Sequence, residues 1–406
     1  LHKKKSRKSS KKLFQADDIA TLISEDLIRD LSRSSLAYGV DRRALKILLT
    51  AQKTDALKKY RSMVDREESV LANAAYEKFA AINEHMANFT EKQLNLPPLK
   101  ADHKDFRAQV MRTARLLIHN ILTPLTEEEW YTGCRNSTGT SQGVSFQNTQ
   151  IEGKFTFPIT ASRRVKGLVS SYLSSHPRME EAIIKFNDAQ GNQSLSDFDE
   201  VNQSRATTVP KNNKIDRMIA IEPTWNMYFQ QGLMSAMYDR LAKFGLDVRL
   251  LPEIQRERAL EGSITGRLAT IDFSSASDCI SYDLVKWLLP HEWFHRCDMV
   301  RSDKMSLPDS LCTLNMFSTM GNAVTFPLET LIFYSFGVAV CHHLGLEKGF
   351  NNSLLATPLT KGSVTVFGDD CILPTSAAES YISVMESIGF IVNREKSYYS
   401  QQPGYR

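Results

Sequence analysis

The stretch Val364-Thr365-Val366-Phe367-Gly368-Asp369-Asp370-Cys371-Ile372-Leu373-Pro374 constrains this chain more than any other. Two short apolar, β-prone runs flank Gly-Asp-Asp, which predicts a hairpin with two carboxylates at its tip. Adjacent carboxylates repel one another, so such a tip is costly unless a cation or basic groups face it. Mg2+ takes one or two carboxylates and leaves the rest of its shell to water and substrate phosphates, so the chemistry suggested is phosphoryl transfer. Alone the signal is weak, because Gly-Asp-Asp also occurs in ordinary exposed turns.

A second acidic strand shifts the balance. Leu268-Ala269-Thr270-Ile271-Asp272-Phe273 reads as a buried strand ending in Asp, followed by the small residues Ser274 to Ser277, then Asp278, then a helical stretch from about Ile280 to Leu289. If the two strands lie side by side, Asp272 comes within reach of a metal shared with Asp369. Two metals about 3.5 to 4 Å apart would clamp the attacking and leaving oxygens of an in-line displacement. Asp278 also sits where a carboxylate caps a helix N-terminus, and that structural role is the plain alternative.

Ahead of these blocks, Thr207 to Lys211 and Lys214 to Ile221 flank Asn212-Asn213, a turn between strands. It places Lys211, Lys214 and Arg217 within seven residues. Arg grips phosphate oxygens in a fork and Lys supplies a point charge, so the segment suits a triphosphate, although an ordinary charged hairpin has the same look.

These blocks together, Lys211 to Arg217, Ile271 to Asp278, Ser318-Thr319-Met320-Gly321-Asn322 and Phe367 to Asp370, resemble the palm and fingers motifs of RNA-directed RNA polymerases. Their order and spacing from about Thr207 to Lys396 resemble the replicase catalytic subunit of the single-stranded RNA bacteriophages, the leviviruses. The resemblance implies an α+β right-hand fold of fingers and palm, with an antiparallel palm sheet, a helix-rich N-terminal region and a thumb absent from this chain. It implies template-directed ribonucleotide addition to an RNA 3′ end in phage genome replication, using two Mg2+ ions with Mn2+ as a substitute. Asp272, Asp369 and Asp370, with the Phe273 carbonyl, would hold the metals. Lys396 matches the general acid for pyrophosphate, though an exposed strand-end lysine fits as well. Lys211, Lys214 and Arg217 would meet the triphosphate, and Thr325 matches the motif's threonine.

Two departures from the wider pattern leave ribose recognition open. The spacing to Asp278 is one residue longer than in many animal-virus polymerases, and Glu329 stands where many relatives carry Asn. Asp278, Asn322 and Glu329 are therefore all candidates for reading the 2′-hydroxyl. The expected ligands are RNA template and product and ribonucleoside triphosphates. The expected partners are host elongation factors Tu and Ts and a ribosomal protein, and the expected setting is the cytoplasm of the bacterial host.

The segments divide as a basic tail at 1–12, a helical region at 13–130, fingers at 131–265 with the basic hairpin at 207–221, palm at 266–400, and the start of a primer-grip or thumb region at 401–406. Apolar spacing predicts helices from Phe14, from about Arg42 to Phe89, over Phe106 to Ile121, over Trp225 to Leu241 and over Ala377 to Ile388. Tyr131 to Gly153 is rich in small polar residues and reads as a long loop. Arg163, Arg164 and Lys166 open a helix that could face RNA, although a solvated basic face is the simpler reading.

At 406 residues the chain can bury a large core. Its net charge of +4 permits nucleic-acid binding without demanding it. Six cysteines without Cys-x-x-Cys spacing suggest reduced thiols rather than a disulfide framework or zinc site. The longest apolar run, Leu331 to Cys341, falls short of the roughly 20 residues a membrane span needs. It ends at His342-His343, whose adjacent rings point apart on a helix and make a poor metal pair.

Two rival readings remain. A reverse transcriptase uses the same palm geometry, but Gly368 and the basic hairpin favour RNA synthesis. A non-catalytic RNA-binding protein with a polymerase-like shell would be indifferent to loss of Asp369.

Overall fold

The computed structural model describes residues 68–98, 105–144, 149–192, 198–212, 215–346 and 364–401, together with Leu22, Glu25 and Arg29. The basic tail at 1–12, the helix expected from Phe14, the first part of the one expected from Arg42, and Lys214 lie outside them. The chain forms two compact units. Residues 68–77 and 208–218, where described, belong to the smaller, and the remainder of 78–401 to the larger. No helix among the described residues is long and apolar enough to cross a membrane.

The N-terminal helices are α1 (Glu68–Met86), α2 (Glu91–Leu94), α3 (Phe106–Ile121) and α4 (Glu127–Gly133). The α3 helix occupies the range its periodicity predicts. Asp105 starts it by accepting a hydrogen bond from the Ala108 amide, and Val110, Met111, Ala114, Leu117, Ile118 and Ile121 form its buried face. A capping box between Thr126 and Glu129 opens α4, so helix reaches further into the expected loop than composition suggested. The strand β1 (Ile159–Ala161), α5 (Arg163–Ser175), α6 (Pro177–Asp188) and β2 (Phe198–Glu200) follow. The basic start of α5 is engaged within the protein: Arg163 pairs with Glu200, Arg164 with Asp298 and Asp303, and Lys166 lies over the Phe198 ring.

β3 (Ser204–Val209) and β4 (Arg217–Ile221) flank the expected basic turn, where the Asn212 side chain accepts from the Ile215 amide. The long α7 (Thr224–Lys243) and α8 (Leu251–Thr265) precede β5 (Leu268–Ile271). Then come α9 (Tyr282–Leu288), α10 (His291–Val300), β6 (Lys304–Ser306), β7 (Leu311–Thr313), α11 (Thr325–His343), β8 (Thr365–Phe367), β9 (Asp370–Pro374) and α12 (Ala378–Ser387).

The architecture is α+β. Its central sheet is antiparallel, in the order β5-β9-β8. α11 is apolar on all sides and nearly every one of its residues is buried, as expected of a helix running through a core. It packs against α3, α12 and the β8–β9 hairpin. Phe333 on α11 stacks on Phe273 with ring centroids 4.8 Å apart, and Phe390 closes the edge of both. Each ring buried this fully contributes about 1.5–3 kcal/mol, so the residue after Asp272 anchors the strand end in the core.

One expectation is corrected. Asp278 does not cap the helix that follows it. It lies inside a 3-10 turn, Ala276–Cys279, entered through Ser275 in the left-handed region at φ 53°. Helix α9 begins later, and Ser281 caps it by accepting from the Leu284 amide. The extra turn absorbs the residues between strand and helix, so the later serine takes the cap.

Candidate active site

The hairpin forms as its sequence dictates. Phe367 pairs with Asp370, leaving Gly368 and Asp369 as the two-residue turn. Gly368 has φ 62°, and a Cβ there would stand 2.6 Å from the Phe326 ring of α11, so only glycine fits. Its amide donates to Thr330 Oγ1 at 3.0 Å. Gln255 of α8 braces both strands: Nε2 donates to the Asp370 carbonyl at 2.8 Å, and Oε1 accepts from Thr365 Oγ1 at 3.1 Å. Helices on two sides thus fix the direction of the tip.

Strand β5 pairs antiparallel with β9, with Ile271 opposite Cys371. Asp272 therefore leaves β5 beside Asp370, and the side-by-side arrangement required by the sequence reading is present. Asn393 and Ser397 hold the Asp272 main chain. Its carbonyl accepts from the Asn393 amide at 2.9 Å, and the Ser397 hydroxyl lies 3.1 Å from its amide. Its carboxylate Oδ2 accepts from Asn393 Nδ2 at 2.7 Å and pairs with Lys396 Nζ at 3.7 Å.

A fourth acid faces the tip from α11. Glu329 is buried, and its Oε1 makes no hydrogen bond. Burial pushes its carboxyl well above the usual range, and the nearby charges of Asp369, Asp278 and Asp370 push it further. Asp370 is raised to about 6, first by partial removal from water, then by Asp369 and Asp272, with Lys396 pulling the other way. The Asp370 residue keeps an exposed flank, so solvent screens part of this repulsion. Asp272, Asp278, Glu329, Asp369 and Asp370 thus share one electrostatic neighbourhood, with the exposed Lys396 at its edge.

Asn322 and Thr325 are buried. Thr325 Oγ1 hydrogen-bonds the Ser318 hydroxyl and the Thr319 carbonyl. Asn322 accepts from the Val324 amide and bonds the buried Glu222, whose carboxylate also accepts from Ser302 Oγ at 2.6 Å. Burial raises the Glu222 carboxyl, opposed by those hydrogen bonds and by Arg301. Gly321, at φ 114°, lets this loop touch β4, because a Cβ would lie 2.1 Å from the Ala220 carbonyl oxygen. Lys211 and Arg217 are exposed residues of the smaller unit, and Lys214 is outside the described residues.

Sequence reasoning missed Asn393, Ser397, Gln255, Thr330 and Glu222. Only Glu222 carried a readable signal, as a lone acid at the end of the apolar run Met218 to Ile221.

Residues 13–404 match the model of the family described as RNA replicase, beta-chain. The chain belongs to that family. It is 33% identical over 392 residues to the RNA-directed RNA polymerase subunit beta of Enterobacteria phage SP, a match covering 95% of this chain and 62% of that protein. It is 44% identical over 205 residues to the same subunit of Escherichia virus Qbeta, covering 50% of this chain and 32% of that one. The chain thus spans less than two thirds of the length of these replicase relatives. The RNA-dependent RNA polymerase of a human picorbirnavirus aligns over 83% of this chain and 68% of its own at 13% identity and TM-score 0.45, too loose a likeness to carry weight.

The replicase resemblance implies a divalent metal. Among the described residues, no three His, Cys, Asp or Glu side chains stand close enough to form a ready-made cluster. The donor chemistry nevertheless fits. The acids around the tip are hard oxygen donors, and burial followed by mutual repulsion raises Asp370 and Glu329, a repulsion that a cation would relieve.

Proposed function

We propose that this chain adds ribonucleotides to an RNA 3′ end under the direction of an RNA template, as the catalytic core of a phage replicase. The observation that carries the reading is the register of β5 on β9, which sets Asp272 beside Asp370 and next to the Asp369 turn. The sheet β5-β9-β8 is the palm in this reading, and the region from 131 to 265 supplies fingers. Asp272, Asp369, Asp370 and the Phe273 carbonyl are the residues to hold Mg2+, with Mn2+ as a substitute. When bound, such ions lower the pKa of the attacking hydroxyl and offset charge on the leaving pyrophosphate.

The remaining work falls to the chain's own groups. The hydrogen bonds to Asp272 and the braces on the hairpin keep the carboxylates aimed, so little reorganisation is needed when substrate arrives. Lys396, which pairs with Asp272 and is otherwise exposed, would give a proton to the departing pyrophosphate. Asp278, Glu329 and Asn322 are the candidates for the ribose hydroxyls, and Thr325 supports that floor. Lys211, Lys214 and Arg217 keep their triphosphate role on the strength of the family motif alone. RNA template and product and ribonucleoside triphosphates are the ligands. Elongation factors Tu and Ts and a ribosomal protein in the host cytoplasm are the partners that the replicase resemblance suggests.

The test is extension of a primed RNA template with Mg2+, offering ribo- and deoxyribonucleotides in parallel. Wild type adds ribonucleotides, and Asp369→Asn loses addition while keeping RNA binding. Addition by Asp369→Asn at the wild-type rate refutes the reading, and a preference for deoxyribonucleotides transfers it to a reverse transcriptase.

A further inference from the structure

Among the described residues, the polar contacts to the Asp272 carboxylate come from one short segment that begins 121 residues downstream, and within it one side chain dominates. Asn393 Nδ2 donates to Oδ2 at 2.7 Å, whereas Lys396 Nζ reaches the same oxygen only at 3.7 Å. The Asn393 amide donates to the Asp272 carbonyl at 2.9 Å, and its own carbonyl accepts from Ser397 Oγ at 2.8 Å. Ser397 in turn lies 3.1 Å from the Asp272 amide. The side chain is itself kept in place, because a loop tied to both the carbonyl and the amide of Asp272 cannot drift from its carboxylate.

From this arrangement we infer that Asn393 is a positioning residue for the metal-binding carboxylate. By occupying Oδ2 it restricts the rotation of the Asp272 carboxylate and leaves Oδ1 outside that bond. An asparagine suits the task for a physical reason. Its amide is a neutral donor, so it holds a carboxylate without cancelling the charge a divalent cation needs, as a lysine or arginine in the same place would. Lys396 is then free to move toward substrate, since Asn393 retains Asp272 when the weaker ion pair opens. The inference rests on the proposed role of Asp272 as a metal ligand.

Outer-shell hydrogen bonds of this kind typically govern about 10- to 100-fold in metal affinity or activity. Asn393→Ala removes the donor but keeps the backbone bond to the Asp272 carbonyl, so the fold is retained, which circular dichroism checks. The first measurement is Mn2+ binding by electron paramagnetic resonance, without RNA or nucleotide. Asn393→Ala weakens binding by about 10-fold or more, and Asn393→Gln, which keeps an amide on a longer arm, recovers part of it. The second is the Mg2+ dependence of nucleotide addition. In Asn393→Ala the half-saturating Mg2+ concentration rises by a similar factor while the rate at saturating Mg2+ largely recovers, a split that a merely structural defect would not produce. Wild-type Mn2+ affinity in a folded Asn393→Ala protein overturns the inference, as does a wild type that binds no Mn2+. A wild type whose Mn2+ binding depends on Asn393 yet adds no nucleotide leaves the positioning role standing and refutes the polymerase reading instead.

Discussion

Replacing Glu329 by Gln tests the electrostatics of the site without touching its shape. In the folded protein the carboxyl is held well above its ordinary value of 4.5 by burial and by Asp369, Asp278 and Asp370. A raised acid binds more protons folded than unfolded, so its favourable contribution is complete below the unfolded value and is lost as pH rises through the folded one. At pH 7 to 8 an unfolded glutamate is ionised, whereas burial and the neighbouring acids oppose ionisation of the folded one, so the folded state gives up stability there that it keeps at pH 4.5. Glutamine carries no charge, and relieving a buried, unpaired polar group of this kind is worth about 1–3 kcal/mol. With an unfolding entropy of about 2.1 cal/mol/K per residue over the whole chain, that gain is about 1–4 °C in Tm. The assay is thermal unfolding of both proteins in chelator-treated buffer across pH 4.5 to 8. The variant is the more stable at pH 7 to 8, and the gap closes toward pH 4.5. An equal gap at both ends, or a glutamine variant less stable at pH 8, would refute the reasoning.

Four further outcomes follow from the geometry. Mn2+ binding should strengthen most steeply as pH rises through about 6, where Asp370 loses its proton, and Asp370→Asn should flatten that profile in a pH titration. Gly368→Ala forces a Cβ to 2.6 Å from the Phe326 ring at a positive φ, and should lower stability by about 1–3 kcal/mol and impair nucleotide addition, read by thermal unfolding and primer extension. Gln255→Ala leaves the Asp370 carbonyl and Thr365 hydroxyl without their brace, for a loss of about 1–3 kcal/mol, together with slower addition at unchanged RNA affinity. Ser281→Ala removes the cap of α9 and should cost about 1 kcal/mol in thermal unfolding with no change in metal affinity, which separates the local fold from the site.

What could be read from the sequence was local. The Gly-Asp-Asp hairpin, the strand ending at Asp272 and helix α3 follow from alternation, turn chemistry and helical spacing, all of which act within a few residues. The hydrogen bond from Asn393 to Asp272 spans 121 residues and rests on a side-chain amide in a loop, so no local pattern marks it. Glu329 lay between these cases. A single acid in a helix otherwise apolar all round can be noticed, but its failure to find a hydrogen-bond partner depends on how α11 meets the hairpin. The cap of α9 was misplaced because several serines and an aspartate compete for it over one short stretch, and the 3-10 turn at Ala276–Cys279 decided among them.

The central claim is that acids from two strands distant in sequence serve one cation. Fe2+-directed cleavage addresses it directly, because Fe2+ bound in place of Mg2+ reduces added hydrogen peroxide to hydroxide and a hydroxyl radical that cuts the neighbouring backbone, with ascorbate returning the Fe3+ to Fe2+. Cuts near both Asp272 and Asp369, suppressed together by added Mg2+ and absent in Asp272→Asn, are the predicted result. Cleavage confined to one of the two segments, or unaffected by Mg2+, would contradict the account.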